Sequence, residues 1–227
     1  MTRYAEPDII ACPHCAQKYH RPTLYSFNTN WQVTYSDGST ALGIDNIIVY
    51  ETRCIQCQRI MLGVNDLPAL QVKPLKPFWR SWFVKQEEYL TVPHASIDVY
   101  FELFDNTDAV QEKRNYAVKA YRRYNQNYLM FGKERIASVE MQHRYREMAD
   151  FLLAHPPIPI YEEYNLLCAD IYRLRGDFSG SKKSYDTVID EKFEHVIEQG
   201  IRWCDANNAS LMAIKEYTQQ SQIKEAV

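Results

Sequence analysis

Glycine is scarce in this sequence, and long apolar runs are missing from it. Seven glycines among 227 residues, against 17 tyrosines, favour ordered packing over flexible linkers. Apolar runs such as IIVY at 47–50 are far shorter than the roughly 20 residues that a bilayer-spanning helix needs. The N-terminus shows no basic stretch followed by a long apolar run, so no secretory signal is visible. These absences predict a soluble protein of the cytoplasm with no membrane partner.

Recognisable catalytic motifs are also missing. The chain contains no G-x-S-x-G elbow, no glycine-rich phosphate loop and no H-E-x-x-H sequence. Adjacent carboxylates occur at Glu87–Glu88 and Glu162–Glu163, but neighbours on a helix point in different directions and cannot flank one substrate. The sequence therefore predicts a protein that is not an enzyme. A catalytic site assembled from distant residues remains an alternative.

Four of the six cysteines occur as two C-x-x-C pairs, CPHC at 12–15 and CIQC at 54–57. Each pair can form a tight turn that directs both thiolates to one centre, and two turns supply the four ligands of a closed zinc site. Redox cycling and plain packing are the alternatives, but reactive thiols need a depressed pKa, typically at a helix N-terminus, and cytosolic disulfides are rare. We therefore predict one structural Zn²⁺ bound by Cys12, Cys15, Cys54 and Cys57.

The remaining candidate ligands fit simpler interpretations. His14 and His20 could replace a sulfur ligand, but four cysteines already fill a tetrahedral shell, so we interpret both as surface residues. Cys168 and Cys204 lie among apolar residues at helical spacing, which is typical of buried, unreactive thiols. A filled shell has no open position for water or substrate, so the metal is predicted to stabilise the fold.

The cysteine region resembles the zinc-ribbon class over residues 10–64. CPHC carries the proline that is common in such turns, and Arg59 follows CIQC by two, where ribbons often carry a basic residue. Ribbons often have a glycine directly after the second cysteine, whereas this chain has Ala16 and Gln58 there. Aromatic and β-branched segments between the pairs, LYSF, WQVTY and IIVYE, predict the strands of a small antiparallel sheet.

After Pro93 the apolar spacing becomes helical. A first stripe of apolar residues at 110–128 is followed by further stripes at 141–152, 160–172 and 193–204. Pro159 suits the first turn of a helix. The sequence thus predicts an α+β fold, in which a small N-terminal antiparallel zinc ribbon precedes an all-helical region of antiparallel helical hairpins. The first stripe consists of Val110, Ala117, Tyr121, Tyr124 and Tyr128.

A connector rich in aromatic residues and proline separates the two parts. It contains Trp79 and Trp82. One interpretation is that it packs the ribbon onto the helices, and the other is an exposed docking strip. The predicted segments are the zinc-ribbon domain at 1–72, the connector at 73–93, the helical domain at 94–206 and a polar, fraying tail at 207–227.

One helical segment, 161–190, resembles a tetratricopeptide repeat. Only one repeat is matched, so a generic helical hairpin is an equal alternative. The resemblance implies helices that present a protein-binding surface. The whole layout also resembles uncharacterised bacterial zinc-ribbon proteins, which brings no established activity. The residues at family-like spacings are Tyr172, Gly176, Phe178, Ser181, Tyr185 and Val188.

Charge is unevenly distributed, although the net charge is only −3. Residues 113–146 contain nine basic and two acidic residues, and 147–205 contain six and twelve. Basic residues interleaved with tyrosines are found on nucleic-acid surfaces, but here the helical spacing buries the rings and exposes the charges. We predict a non-enzymatic adaptor whose helical region binds a protein partner, with a nucleic-acid-binding accessory protein as the alternative. The predicted partner-binding residues are Lys113, Lys119, Arg122, Arg123, Lys133, Arg135, Trp79 and Trp82.

Overall fold

The computed structural model describes residues 3–4, 8–22, 24–26, 33–35, 40–41, 50–70, 89–131, 138–210 and 213–214. Over these residues the chain is α+β, with short strands before six α-helices and one last strand. The strands are β1 Arg3–Tyr4, β2 Asp8–Ala11, β3 Lys18–Arg21, β4 Leu24–Ser26, β5 Val33–Tyr35, β6 Thr40–Ala41, β7 Thr52–Arg53, β8 Ile60–Met61, β9 Leu90–Thr91 and β10 Ala213–Ile214. The helices are α1 Ile97–Asp105, α2 Val110–Phe131, α3 Val139–Ala154, α4 Glu162–Leu174, α5 Phe178–Tyr185 and α6 Glu194–Asp205.

The chain divides into two compact units. The first comprises Met1–Thr29 and Gly43–Val99, and the second comprises Asn30–Leu42 and Tyr100–Val227. Most of the predicted connector, 71–88, lies outside the described residues. The domain boundaries drawn from the sequence therefore stay predictions.

In the first unit, β2, β3 and β9 form a three-stranded sheet. β2 and β3 pair antiparallel, with Ile10 opposite Tyr19, and both side chains are fully buried. β9 joins the other edge of β3 in the parallel direction. The antiparallel β2–β3 pair agrees with the predicted ribbon sheet, whereas β9 lies in the predicted connector, where the sequence analysis gave no strand. Parallel pairing is possible there because β9 comes from a distant part of the chain and no hairpin turn fixes its direction.

A single arginine fastens the segment after β8 to this sheet. Arg21 Nη1 donates to the carbonyl oxygens of Val64, Asn65 and Leu67 at 3.0, 2.7 and 2.8 Å. Its Nη2 donates to Asp8 Oδ2 at 2.8 Å across the β2–β3 pair. The segment contains a short 3-10 helix, Val64–Asp66, and the arginine satisfies carbonyl groups in it and directly after it. The core of this unit consists of Ile10, Cys12, Tyr19, Cys54, Met61, Val64 and Val92.

In the second unit, aromatic rings join α2 to α3. The Tyr145 ring stacks on Tyr121 and Tyr124, with centroids 4.9 and 4.1 Å apart. Ala117 and Tyr121 are buried, which agrees with the predicted stripe, but Val110 is half exposed. Val110 is the first residue of α2, and the buried face begins one turn later.

Helices α4 and α5 form a hairpin. Gly176 has φ +80°, a left-handed conformation that glycine adopts without steric penalty. Asp177 then caps α5, because its Oδ1 accepts a hydrogen bond from Gly180 N at 2.8 Å. Helix α6 packs against the same hairpin, and one core joins them. Its buried residues are Leu166, Ala169, Tyr185, Val188, Phe193, Val196, Trp203 and Cys204.

The predicted start of α4 is too early by one turn. Pro159 lies outside the helix, which begins at Glu162 after Tyr161 as the N-cap. Tyr161 is extended, and its carbonyl accepts from Tyr164 N at 3.0 Å. Two carboxylates, on Glu162 and Glu163, fill the first turn, where the helix dipole favours negative charge.

A buried ion pair fixes the inner face of α4. Arg173 Nη2 lies 2.8 Å from Asp170 Oδ1, and both side chains are fully buried. Tyr121 donates to Asp170 Oδ2 at 3.2 Å. Arg173 Nη1 donates to the carbonyl oxygens of Asn208 and Ser210 at 2.9 and 2.6 Å. The network therefore connects α4 both to α2 and to the chain after α6.

The second unit also contains a small sheet in the order β10-β5-β6. β10 pairs antiparallel with β5, with Ala213 opposite Tyr35. This part of the predicted fraying tail is therefore a paired strand. The pairing joins residues far apart in the sequence, which a local polar composition does not reveal.

Candidate metal centre

Both C-x-x-C pairs fold into the same tight turn. In the first, Cys12 N donates to Gln17 O at 2.8 Å, and Ala16 N donates to Cys12 O at 2.9 Å. The second turn repeats both hydrogen bonds at 2.9 Å, one from Cys54 N and one to Cys54 O. The first turn lies between β2 and β3 and the second between β7 and β8. Paired strands on either side of each turn thus fix where its two sulfurs point.

The residue after each pair adopts the left-handed conformation. Ala16 has φ 59° and Gln58 has φ 60°. These are the positions at which zinc ribbons often carry glycine. Ala16 and Gln58 thus replace glycine in the residue type but adopt a backbone conformation that glycine favours. The second turn has added support, because Gln58 Nε2 donates to Ile55 O at 2.7 Å and Arg53 Nη1 donates to Gln58 O at 2.9 Å.

The four sulfur atoms form a compact cluster within the first unit. Cys12 Sγ lies 3.9 Å from Cys57 Sγ, and Cys15 Sγ lies 3.6 Å from Cys54 Sγ. All four sulfurs lie within 4.8 Å of one another. Sulfurs bound at about 2.3 Å to one tetrahedral ion lie about 3.8 Å apart, whereas a disulfide joins them at about 2 Å. The spacing therefore fits four ligands of one metal ion, and none of the four cysteines is in a disulfide.

Tyr19 supports this cluster, and sequence reasoning missed it. Its fully buried hydroxyl lies 3.1 Å from Cys54 Sγ and accepts a hydrogen bond from Ile55 N at 2.9 Å. Towards a thiolate, which only accepts, the hydroxyl is the donor. Tyr19 also stands on β3, opposite Ile10 of β2. The available signal was a large aromatic residue on a strand directly after the first cysteine pair.

The two histidines near the cluster differ in their surroundings. His14 is exposed, as predicted, and its Nε2 lies 3.0 Å from Ile60 O. Its backbone N donates to Cys12 Sγ at 3.4 Å. The surface prediction for His20 is wrong, because this residue is half-buried and its ring packs edge-on against Tyr89 at 5.4 Å. His20 lies on β3, and its sequence context does not show that the ring of Tyr89, directly before β9, packs against the His20 ring.

The thiols influence one another's ionisation. Burial raises the pKa of Cys54, but hydrogen bonds from Tyr19 and from the backbone of Cys57 lower it to about 6. At Cys15, a backbone hydrogen bond from Gln17 lowers the pKa, while partial desolvation of the sulfur and the neighbouring thiols raise it to about 12. Like charges this close resist joint ionisation unless a cation neutralises them.

The chemistry of the donors limits which cation fits. Four thiolates are a soft donor set, which suits zinc or an iron–sulfur centre and not Mg²⁺ or Ca²⁺. Cys12 and Cys54 are buried, Cys57 is half-buried and Cys15 is exposed. The cluster can therefore hold a metal ion and closes a tetrahedral shell around it when all four sulfurs bind.

The other two cysteines lie apart from the cluster, in the second unit. Cys204 is buried in the α4–α6 core, and its Sγ donates to Ser181 Oγ at 3.3 Å. Cys168 is half-buried, and burial raises its pKa to about 11. Cys204 is therefore packed in the core as predicted, whereas Cys168, also predicted to be buried, is half-buried and stays protonated at neutral pH.

The predicted basic surface on α2 is only partly exposed. Lys113, Lys119, Arg122 and Arg123 are all half-buried. Lys113 Nζ lies 4.5 Å from the centre of the Phe104 ring, a cation–π contact that draws it against α1. Lys113 thus contributes to packing between α2 and α1, whereas Lys119 Nζ lies 5.9 Å from the centre of the Tyr116 ring on its own helix. The other predicted partner residues, Lys133, Arg135, Trp79 and Trp82, lie outside the described residues.

One basic residue of this stretch has a structural role that its sequence does not reveal. Arg114 is buried, with its Nε 2.6 Å from His155 O and its Nη2 3.0 Å from Pro156 O. It ties α2 to the end of α3.

The fold and the site together define an α+β protein with a four-cysteine cluster able to bind one metal ion. Comparison with known protein families, curated proteins and solved structures finds no match to this chain. Among the described helices, none is long and apolar enough to cross a membrane.

Proposed function

We propose that this protein is a zinc-containing adaptor of the cytoplasm, without enzymatic activity, that binds a protein partner through its helical unit. The observation that carries the metal assignment is the cluster of four sulfurs at tetrahedral spacing. Zn²⁺ imposes no electronic geometry and binds four thiolates in a closed shell. Such a shell stabilises a fold and leaves no position for a substrate.

The adaptor role rests on the second unit. Helices α4–α6 have a core of their own, so the fold does not depend on the side chains of their outer surfaces. Several large apolar side chains of this unit are nevertheless exposed, among them Val139, Ile158 and Ile189. Exposed apolar groups are an expected feature of a surface that binds another protein.

The zinc assignment is tested by the metal content of the purified chain. We expect one zinc per chain, and Cys12→Ser or Cys57→Ser to lose it and to unfold the first unit, because metal binding and folding are coupled. Cys168→Ala is the matched control and should keep its zinc, with a loss of about 1 kcal/mol from packing. Elemental analysis and amide exchange measure both effects. Equal zinc loss in all three variants, or no zinc in the native chain, would contradict the assignment.

The adaptor assignment is tested by affinity recovery from native lysate, with and without nuclease. A stoichiometric protein that survives nuclease treatment is the expected result. Recovery of nucleic acid in its place would favour the alternative of a nucleic-acid-binding accessory protein. If neither is recovered, the adaptor role is wrong.

A further inference from the structure

Four large apolar side chains are exposed together at the start of α4. We call Ile158, Ile160, Tyr161 and Ile189 the isoleucine patch. Their exposed fractions are 96%, 56%, 47% and 84%. Scattered apolar residues on a surface are ordinary, but here three exposed isoleucines and an exposed tyrosine lie on two segments that a hydrogen bond joins.

A hydrogen bond joins the two segments of the patch. Asp190 N, next to Ile189, donates to Glu162 Oε2 at 2.8 Å, and Glu162 follows Tyr161 directly. The Tyr161 ring meets the Tyr164 ring edge-on at 5.9 Å, which holds it against the first turn of α4. The two segments that carry the patch therefore adjoin at this hydrogen bond in the free chain.

The packing of the hairpin does not account for these side chains. Val188 is buried in the α4–α6 core, whereas its neighbour Ile189 points outward. Burial of exposed apolar surface contributes about 25 cal/mol per Å², so a partner that covers the patch gains binding free energy there. A polar residue at 158 or 189 would serve the fold of the chain equally well.

Carboxylates outnumber cations on the two segments that carry the patch, and we call these carboxylates the acidic rim. Across 158–163 and 186–194 there are six carboxylates and one cation. The cation, Lys192, lies 2.7 Å from Asp190 and 3.3 Å from Glu163, so it neutralises only part of this charge. The carboxylates are Glu162, Glu163, Asp186, Asp190, Glu191 and Glu194.

We propose that the isoleucine patch binds an amphipathic segment of a protein partner, with large apolar side chains as anchors and Lys or Arg residues beside them. This inference rests on the proposed adaptor function and names its surface. The apolar anchors cover the isoleucines, and the basic residues meet the acidic rim, which favours association and selects against acidic partners.

The same charges argue against two other occupants. In a symmetric dimer through this patch, the acidic rims of both copies would face each other, and like charges repel. An anionic lipid surface would be repelled by the rim in the same way. A basic partner is the occupant that both the apolar and the charged parts of the surface suit.

The test uses a photoreactive side chain at position 189 of the full chain in native lysate. A second chain carries it at position 139, a matched control, because Val139 is also 84% exposed and lies in the same unit. The segment cross-linked from 189 is identified by mass spectrometry, synthesised, and titrated against the purified protein. We expect a segment with at least two large apolar residues and a net positive charge, captured from 189 and not from 139.

Variants then test whether the isoleucine patch, and not another surface of the chain, binds the segment. Ile158→Ser with Ile189→Ser should weaken binding of the synthesised segment by at least about tenfold, and Val139→Ser should leave it unchanged. All three side chains are exposed, so the melting temperature of each variant should match that of the parent chain. Raising the salt concentration should also weaken binding.

Several outcomes would overturn the proposal. If affinity recovery yields a stoichiometric partner and the double variant recovers it equally, the surface is wrong and the adaptor function stands. If the parent chain recovers no partner, both fail. Self-association that the double variant abolishes, or capture of an acidic segment, would overturn the assigned occupant.

Discussion

At the residue scale, the turns of the metal centre depend on a backbone conformation that their residues do not favour. Ala16 and Gln58 both have φ near +60°. A residue with a Cβ atom is less stable there by about 1–2 kcal/mol, and glycine has no such penalty. The chain nevertheless keeps the turn, because its two backbone hydrogen bonds and the flanking strands determine it.

Ala16→Gly should therefore stabilise the first unit. We expect a gain of about 0.5–1 kcal/mol, since the relief of steric strain exceeds the extra chain entropy of glycine in the unfolded state. Ala69→Gly is the matched control, because Ala69 is exposed in the same unit and is not among the described positive-φ residues. Urea denaturation followed by metal release measures both, and the control should shift to lower urea. A lower midpoint for Ala16→Gly would contradict the argument.

Tyr19 is a positioning residue for the cluster, because it contacts a ligand and not the metal. Tyr19→Phe removes the hydroxyl that lies 3.1 Å from Cys54 Sγ and leaves Ile55 N without that acceptor. Loss of such a supporting hydrogen bond weakens metal affinity by roughly 10–100-fold. Competition with a chromophoric chelator measures the affinity, and the sulfur-to-cobalt charge-transfer band of the Co²⁺ form should shift.

The control for that experiment is Tyr50→Phe. Tyr50 is half exposed and belongs to the same unit. Equal affinity changes in both variants would show that the Tyr19 hydroxyl has no particular role at the cluster.

At the scale of secondary-structure elements, α4 is held by charge as well as by apolar packing. The Asp170–Arg173 pair is fully buried, and Arg173 also binds the two carbonyl groups beyond α6. Breaking such a pair leaves one buried charge without its counter-ion, and that state is unfavourable. Arg173 therefore connects α4 to the chain after α6 and neutralises Asp170, which accepts a hydrogen bond from Tyr121 of α2.

Arg173→Met should lower the free energy of unfolding by about 3–5 kcal/mol. Arg202→Met is the matched control, because Arg202 is exposed on α6 and its ion pair with Glu198 spans 3.6 Å in solvent. Its effect should stay below about 1 kcal/mol. Thermal denaturation followed by far-ultraviolet circular dichroism compares the two, and similar losses would contradict the role assigned to the buried pair.

Elements with strong local patterns were predicted well, and those that depend on distant partners were not. The apolar stripe centred on Ala117 and Tyr121 lies within α2 as expected. The parallel edge strand β9 and the late strand β10 were missed, because each is two residues long and pairs with a remote segment. A two-residue strand has too little sequence to show a period.

At the scale of the whole molecule, the metal cluster takes all four ligands from the first unit, while the α4–α6 core belongs to the second. A ligand that binds only the folded state stabilises that state, by an amount that grows with the ratio of its concentration to its dissociation constant. Removal of the metal should therefore act first on the unit that supplies the ligands.

Chelation should speed amide exchange most in the metal turns. The amides of Cys12, Ala16, Cys54 and Gln58 form the turn hydrogen bonds, so we expect them to lose protection when a strong chelator removes the metal. Amides within α4 should keep theirs, and re-addition of zinc should restore the turns. Hydrogen exchange read by mass spectrometry resolves the two regions. Unchanged exchange at the turns would show that they fold without metal.

The sequence by itself determined the parts of this protein that depend on close neighbours. Paired C-x-x-C motifs specify four sulfur ligands, because two residues of spacing suffice for a turn that directs both thiolates inward. Helical stripes specify which faces are buried, because a few consecutive turns of sequence are enough to show a period of 3.6 residues.

Only the tertiary structure decided which distant residues support those parts. The hydroxyl of Tyr19 beside Cys54, the hydrogen bonds from Arg173 to the chain after α6 and the hydrogen bond from Asp190 N to Glu162 all join positions far apart in the sequence. Such contacts depend on how whole segments pack, and packing is a property of the folded chain and not of any short stretch of it.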